Sequence, residues 1–568
     1  MRLGVQGLPW ALVVVLLGVP VAAQEPEHHH EHAVPEKLGT VRFPVSCREE
    51  VRADFERGVA LLHSFGYPLA ATAFQGVAER DPECGMARWG LAMSRYHQIW
   101  APPTAEDFAT GAEAARQAAQ LGAKSDRERA YIAVIGAFYL ESAPRPHLER
   151  VRAYEKAMAD LAARFPDDDE AVIFHALALL SIAYNSPPDK TYALQKQAAA
   201  ILNGVLPRHP DHPGVAHYMI HSFDYPELAP LALDAARAYA RVAPSAPHAL
   251  HMPSHIFTRL GLWKDSIESN LASAAAARAQ MARTHPGATS YDDLHALDYL
   301  AYAYLQRAED ENARGVARTV AAASRFDAFE LAAAYALAAV PARYALERRA
   351  WQDAAALTPS PATFPWAKFP HAEAIVHFAR GVGAARAGDL ETARSAYGRL
   401  TAIQSALASA YTKGFDWPTQ VEIQRLAAEG WLRLAEGKAD DAERLLRAAA
   451  DLEDRTDKHP VTPGSVLPAR EQLADLLMER KKAREALAEY EASLRTAPAR
   501  YASLAGALAA ARAIGDSKVA RSYAARLVEL VDPSAQRPEL ARARLLLAQR
   551  WEGERRELGA RGSSSGNR

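Results

Sequence analysis

The stretch GVALLHSFGYPLAATAFQGVAERDP, residues 58–82, decides the fold. Within it Gly58 and Ala70 lie 12 residues apart, Phe74 follows 4 later and Pro82 another 8 on. Small residues let two helices cross closely, an aromatic ring fills the gap between hairpins, and proline ends the second helix. The segment therefore reads as a helix–turn–helix hairpin. The pattern recurs at Ala232, Ala236 and Pro244, at Gly388, Ala393 and Tyr397, and at Gly437, Ala442 and Leu446. It returns at Ala486, Tyr490 and Pro498, and again at Gly515 and Ala520. Alanine, leucine, arginine and glutamate fill almost every segment, and alternating β-branched runs are absent. Each hairpin can bury its apolar face only against its neighbours, so the repetition predicts one continuous all-α body of about ten to twelve units.

These spacings resemble the tetratricopeptide repeat, a helix–turn–helix unit with a period of about 34 residues. The resemblance covers residues 51–547 with irregular insertions, and implies an α-solenoid wound as a right-handed superhelix, assigned here to residues 47–550. It also implies that the first helix of each hairpin lines a concave groove holding a protein, a peptide or a small ligand. Leu61-Leu62-His63-Ser64-Phe65, residues 81–90 and His251-Met252-Pro253-Ser254-His255-Ile256-Phe257 are similar to runs in exported bacterial tetratricopeptide proteins. That second resemblance implies no settled activity.

Composition narrows the function classes. Of 568 residues, 49% are hydrophobic and 24% charged, which excludes wholesale disorder. Basic and acidic residues number 66 and 68, so no basic footprint for nucleic acid exists. Residues 1–23 read as a signal peptide, with Arg2, an apolar run from Trp10 to Val21 too short for a bilayer, and the small pair Ala22-Ala23. The expectation is an exported protein, periplasmic or secreted, with no membrane span after cleavage. Residues 24–46 read as a histidine-rich tail in which His28, His29, His30 and His32 can capture metal weakly. Residues 551–568 read as a disordered tail. Export gives the two cysteines meaning: Cys47 and Cys84, about one repeat apart and each just before a predicted helix, either form a disulfide or stand as free thiols.

The groove positions carry unusual chemistry. Repeats that begin at Pro213 and Pro247 place His217 and His221 at their fifth and ninth positions, then His251 and His255. His248 takes the second position and Asp224 the twelfth. The following repeat, entered through an insertion near Pro286, places His295, Asp298 and Tyr302 at second, fifth and ninth. An i, i+4 pair of histidines puts both imidazoles on one helical face. Two such pairs on neighbouring helices point to a transition metal such as zinc, copper or iron, with aspartates completing or orienting the set. Metal-free ligand binding and plain hydrogen bonding are the other readings. Pro253 interrupts the His248–His255 run, so the helix either kinks there or starts there. His63 and His97 share the thirteenth position of the first two repeats, and with Trp89, Tyr96 and Trp100 are candidates for ligand contact.

No HExxH motif, nucleophile elbow or phosphate loop is present. Two functions follow as expectations: a binding scaffold whose groove holds a metal, or a metal-dependent enzyme in the same groove. In the enzyme, His217, His221, His251 and His255 would be ligands, Asp224 or Asp298 the base, and Tyr302 a hydrogen-bond donor.

Overall fold

Helix Arg52–His63 runs through a tight turn at Phe65 into helix Tyr67–Arg80, and Gly85–Met93 follows. The quoted stretch explains their packing. A Cβ on Gly58 would stand 2.8 Å from the Phe74 ring, and one on Gly90 only 2.3 Å away. The ring thus sits where two glycines let the neighbouring helices close on it. Gly506 and Tyr490 repeat the device late in the chain, where a Cβ on Gly506 would stand 2.2 Å from the Tyr490 ring.

The computed structural model describes residues 36–99, 102–140, 145–411 and 415–548. Among them are 25 α-helices and no strand, and each helix packs on the next along the chain. The fold is an all-α solenoid. The chain divides into two units, Met1–Glu36 and Lys37–Arg568; of the first, only residue 36 is described. Residues 1–23, read above as a signal peptide, His28 to His32, Trp100 and residues 551–568 lie outside the described residues. No described helix is long and apolar enough to cross a membrane.

Three features depart from a simple open groove. Residues 37–46 belong to the packed body and not to a tail. Leu38, Phe43 and Val45 are buried, Phe43 against Phe55, Trp89 and Tyr131, and Thr40 donates its backbone N–H to the Asp211 carbonyl. Inner helices distant in sequence also touch: Arg52–His63 packs on Pro213–Phe223, and Tyr291–Gln306 on Tyr501–Ala513. Finally, the connection at residues 457–468 folds inward, burying Val461 and Val466.

Cys47 and Cys84 form a disulfide with a Cα–Cα distance of 5.1 Å, closing a separation of 37 residues. Loop-closure entropy for that length corresponds to about 3–4 kcal/mol. Reduction, or Cys84→Ser, is expected to lower the urea midpoint accordingly. Intact mass and thiol titration check the bond itself, since two free thiols in the folded protein would refute it.

Candidate metal centre

Three helices bring six histidines together. His212 caps Pro213–Phe223, its Nδ1 accepting from the Gly214 N–H, and Pro213 opens a helix that shows His217 and His221 one turn apart. Pro247–His251 and Pro253–Leu260 join through Met252, whose dihedrals are helical (φ −53°, ψ −36°). The run therefore kinks at Pro253 without unwinding, and His251 and His255 keep their one-turn spacing. Tyr291–Gln306, capped by Ser290, supplies His295.

His251, His255 and His295 form the better-determined group. The His251 Nδ1–H donates to Asn270 Oδ1 at 2.7 Å, and the Asn270 amide is oriented by its own donation to the Ser266 carbonyl. His255 Nδ1–H donates to Asp224 Oδ2 at 2.9 Å. In the neutral rings both Nε2 atoms are then bare lone pairs, and they face each other at 3.1 Å. His295 lies with its ring centroid 4.2 Å from that of His251, buried, with neither nitrogen hydrogen-bonded among the described residues. Facing lone pairs repel unless a cation lies between them. A proton is a poor choice, because burial pushes all three imidazoles below their usual value. A metal ion with bonds of about 2.0–2.1 Å to nitrogen would set such atoms about 3.3 Å apart at tetrahedral angles. The donor set thus fits a transition metal with three nitrogen ligands and an open position.

Asp224 stands behind His255 instead of joining the ligands. It is fully buried and accepts from Arg259 Nε at 2.9 Å and Lys458 Nζ at 3.3 Å. Burial alone would raise its pKa, but Lys458, Arg259 and His255 hold it well below the usual carboxylate range. Burial in turn pushes Lys458 down to about 8. A carboxylate kept ionised on the far nitrogen of a histidine fixes the tautomer and raises the basicity of the near one.

His217, His221 and His248 form a second group whose ligand atoms lie within 4.8 Å of one another. His217 Nδ1–H donates to the His63 carbonyl at 2.6 Å, which leaves Nε2 as a lone pair. That atom lies 3.1 Å from Nε2 of both His221 and His248. His217 and His221 are fully buried, and His248 is half-buried.

A third group, His63, Glu170 and His212, is a closed hydrogen-bond network. Glu170 accepts from His63 Nε2 at 2.9 Å and His212 Nε2 at 3.0 Å, while Tyr218 donates its hydroxyl to His63 Nδ1. Every ring nitrogen of the group has a donor or acceptor of the right kind, so no cation is called for. Burial works against the Glu170 charge, but the two histidines hold its pKa below the usual range.

The segment at residues 457–468 closes over the histidines. The carbonyls of Pro460 and Thr462 lie 3.0 and 3.1 Å from the Tyr299 hydroxyl, and the Tyr299 ring stacks on His255. Arg343 Nη2 donates to Thr462 Oγ1 and the Gly464 carbonyl, and its Nη1 to the Ser465 carbonyl.

The structure therefore gathers His217, His221, His248, His251, His255 and His295, and redistributes the other candidates. Asp298 pairs with Arg343 at 3.1 Å and lies in neither ligand group. The Tyr302 ring is approached by the guanidinium groups of Arg343 and Arg500, 5.0 and 5.9 Å from its centroid. Trp89 is core, packed against Phe43, Phe55 and Phe74. His97 sits against Tyr67, while His63 faces the cluster from the first helix through its carbonyl. Sequence reasoning passed over Glu170, Asn270, Tyr299, Arg343 and Lys458. Only His212, one residue before the repeat start at Pro213, carried a local signal, as a helix cap.

No protein-family model matches the chain, and no curated protein does. Similar solved structures include the TPR domain of P58(IPK), at 11% identity over 83% of this chain and 99% of that one, with a TM-score of 0.19. The human IFIT1 dimer with PPP-AAAA is another, at 10% identity over 86% of this chain and 96% of that one, with a TM-score of 0.35. Scores this low mean that the bodies do not superpose as wholes, so neither likeness bears on function. The series of packed helices and the glycine–aromatic interlocks observed directly make this chain an α-solenoid of helical hairpins.

Proposed function

We propose that this protein is an exported tetratricopeptide-type binding scaffold that holds a transition metal ion in its interior at His251, His255 and His295. The observation that carries the reading is the pair of Nε2 lone pairs facing each other at 3.1 Å, each fixed by a partner on the opposite ring nitrogen. Imidazole ligands suit zinc, copper or iron. The ligand or partner would be met at a cavity of about 700 Å³ lined by Arg259, Lys458, His371, Trp417 and His459. Arg259 and Lys458 are the two cations that hold Asp224, so the cavity wall and the metal support share residues.

Elemental mass spectrometry on protein lacking residues 1–32 is expected to find at least one equivalent of transition metal, reduced by one equivalent in His255→Ala. A zero that persists after incubation with zinc, copper and iron would refute the proposal. The enclosure of the centre by residues 457–468 favours a second reading, a metal-dependent enzyme. Azide binding to copper(II)-loaded protein, seen as a shifted ligand-field spectrum, would demonstrate the exchangeable coordination position that such an enzyme requires.

A further inference from the structure

We propose that His217, His221 and His248 bind a second metal ion beside the first, so that the chain holds a dinuclear centre of six imidazoles suited to copper(I). This rests on the reading of the first site and extends it in nuclearity and in the charge of the ion.

The argument for a second ion begins with His217. Its Nδ1 proton is committed to the His63 carbonyl, and its single Nε2 lone pair is approached by two other Nε2 atoms, both at 3.1 Å. One lone pair shared between two N–H donors is a weak arrangement. Both spacings match those of two ligands on one metal with nitrogen bonds of about 2.0–2.1 Å, and the ligand atoms of all three histidines lie within 4.8 Å of one another. The His63–Glu170–His212 group shows the contrast, since there each contact pairs one donor with one acceptor.

The two triads are contiguous. The rings of His221 and His255 are 6.4 Å apart by centroid, as are those of His248 and His251. His217 and His221 stand on the helix that opens at Pro213, and His248, His251 and His255 on the run kinked at Pro253, so these two segments position five of the six ligands.

Charge selects the ion. All six ligands are neutral imidazoles, and neither triad includes a carboxylate. The nearby anion, Asp224, is already balanced by Arg259 and Lys458. Two divalent ions would bring four uncompensated charges into a buried site, whereas two univalent ions bring half as many, and desolvation disfavours the former steeply. Among first-row ions that bind imidazole well, copper is the one with a stable univalent state.

The test is anaerobic titration with copper(I), followed by removal of loose metal and elemental analysis. Expected stoichiometries are two per chain in the wild type, one in His217→Gln, one in His255→Gln and none in the double variant, with helical circular dichroism preserved. X-ray absorption should show a nitrogen-only shell of three-coordinate copper(I). Glu170→Gln is expected to keep both ions. A single ion in the wild type, lost in His255→Gln and kept in His217→Gln, would overturn the second site while leaving the first. Two zinc(II) ions retained in preference to copper(I) would overturn the charge argument. No bound metal at all would instead refute the proposed function itself.

Discussion

Asp224→Asn is expected to weaken metal retention about 10- to 100-fold, the usual effect of losing a carboxylate that orients a histidine ligand. The substitution keeps size and shape but removes the charge that holds the His255 Nδ1 proton. Asparagine can turn either its carbonyl or its amide toward that ring, so the tautomer with Nε2 free is no longer enforced. It also leaves Arg259 and Lys458 with a neutral partner. Asp224→Ala goes further, because two largely buried cations then lose the carboxylate, and only Arg259 keeps a contact there, to the backbone carbonyl of residue 224. Breaking a buried ion pair on one side typically destabilises by about 3–5 kcal/mol. Competition with a chelator of known affinity measures the first effect, and urea denaturation of the metal-free protein measures the second. Unchanged affinity in Asp224→Asn would mean that the carboxylate serves packing and charge balance only.

Arg343→Met is expected to release the segment that covers the histidines. The guanidinium is fully buried and reaches Asp298, Thr462, Gly464 and Ser465 together. Methionine fills most of the volume but donates to none of them, so Asp298 and three acceptors lose their donor. A loss of about 3–5 kcal/mol is expected, together with faster stripping of bound metal by a chelator and earlier exchange of amides in residues 457–468. The pH dependence should change as well. Burial pushes Asp298 up to about 6, with Arg343 holding it back from rising further. Its folded value thus exceeds the roughly 3.9 of an unfolded aspartate. The folded state keeps a proton that the unfolded state releases, so this group's contribution falls as pH rises from about 4 to about 6. Without Arg343 the folded value climbs, and the fall should extend toward neutral pH. Denaturation midpoints across that range, compared between the two proteins, check the difference. Identical pH profiles would show that Arg343 does not set the Asp298 charge.

Local spacing made the fold legible. Gly58, Ala70, Phe74 and Pro82 are constraints between helices adjacent in the chain, and such constraints are written at short separations. The same holds for the two histidine pairs at i, i+4, and, each as one of two alternatives, for the kink at Pro253 and the pairing of Cys47 with Cys84. Periodicity also placed His248 and His295 on the inner face, because a regular repeat fixes which side of each first helix points inward.

What surrounds those histidines was decided by the tertiary structure. Phe43 reads as part of a tail until the aromatic cluster around Trp89 is seen to enclose it. Asp224 reads as a ligand, and Asp298 with it, because a facing argument cannot see the cations that claim them. Lys458 reaches Asp224 across 234 residues, Arg343 reaches Thr462 across 119, and the His63 carbonyl reaches His217 across 154. The sequence by itself determined the repeating helices and the side on which the imidazoles stand, since both follow from helical period and close packing of neighbours. Only the tertiary structure decided which nitrogen of His217, His251 and His255 carries the lone pair, because that depends on a carbonyl, an amide and a carboxylate delivered by other segments.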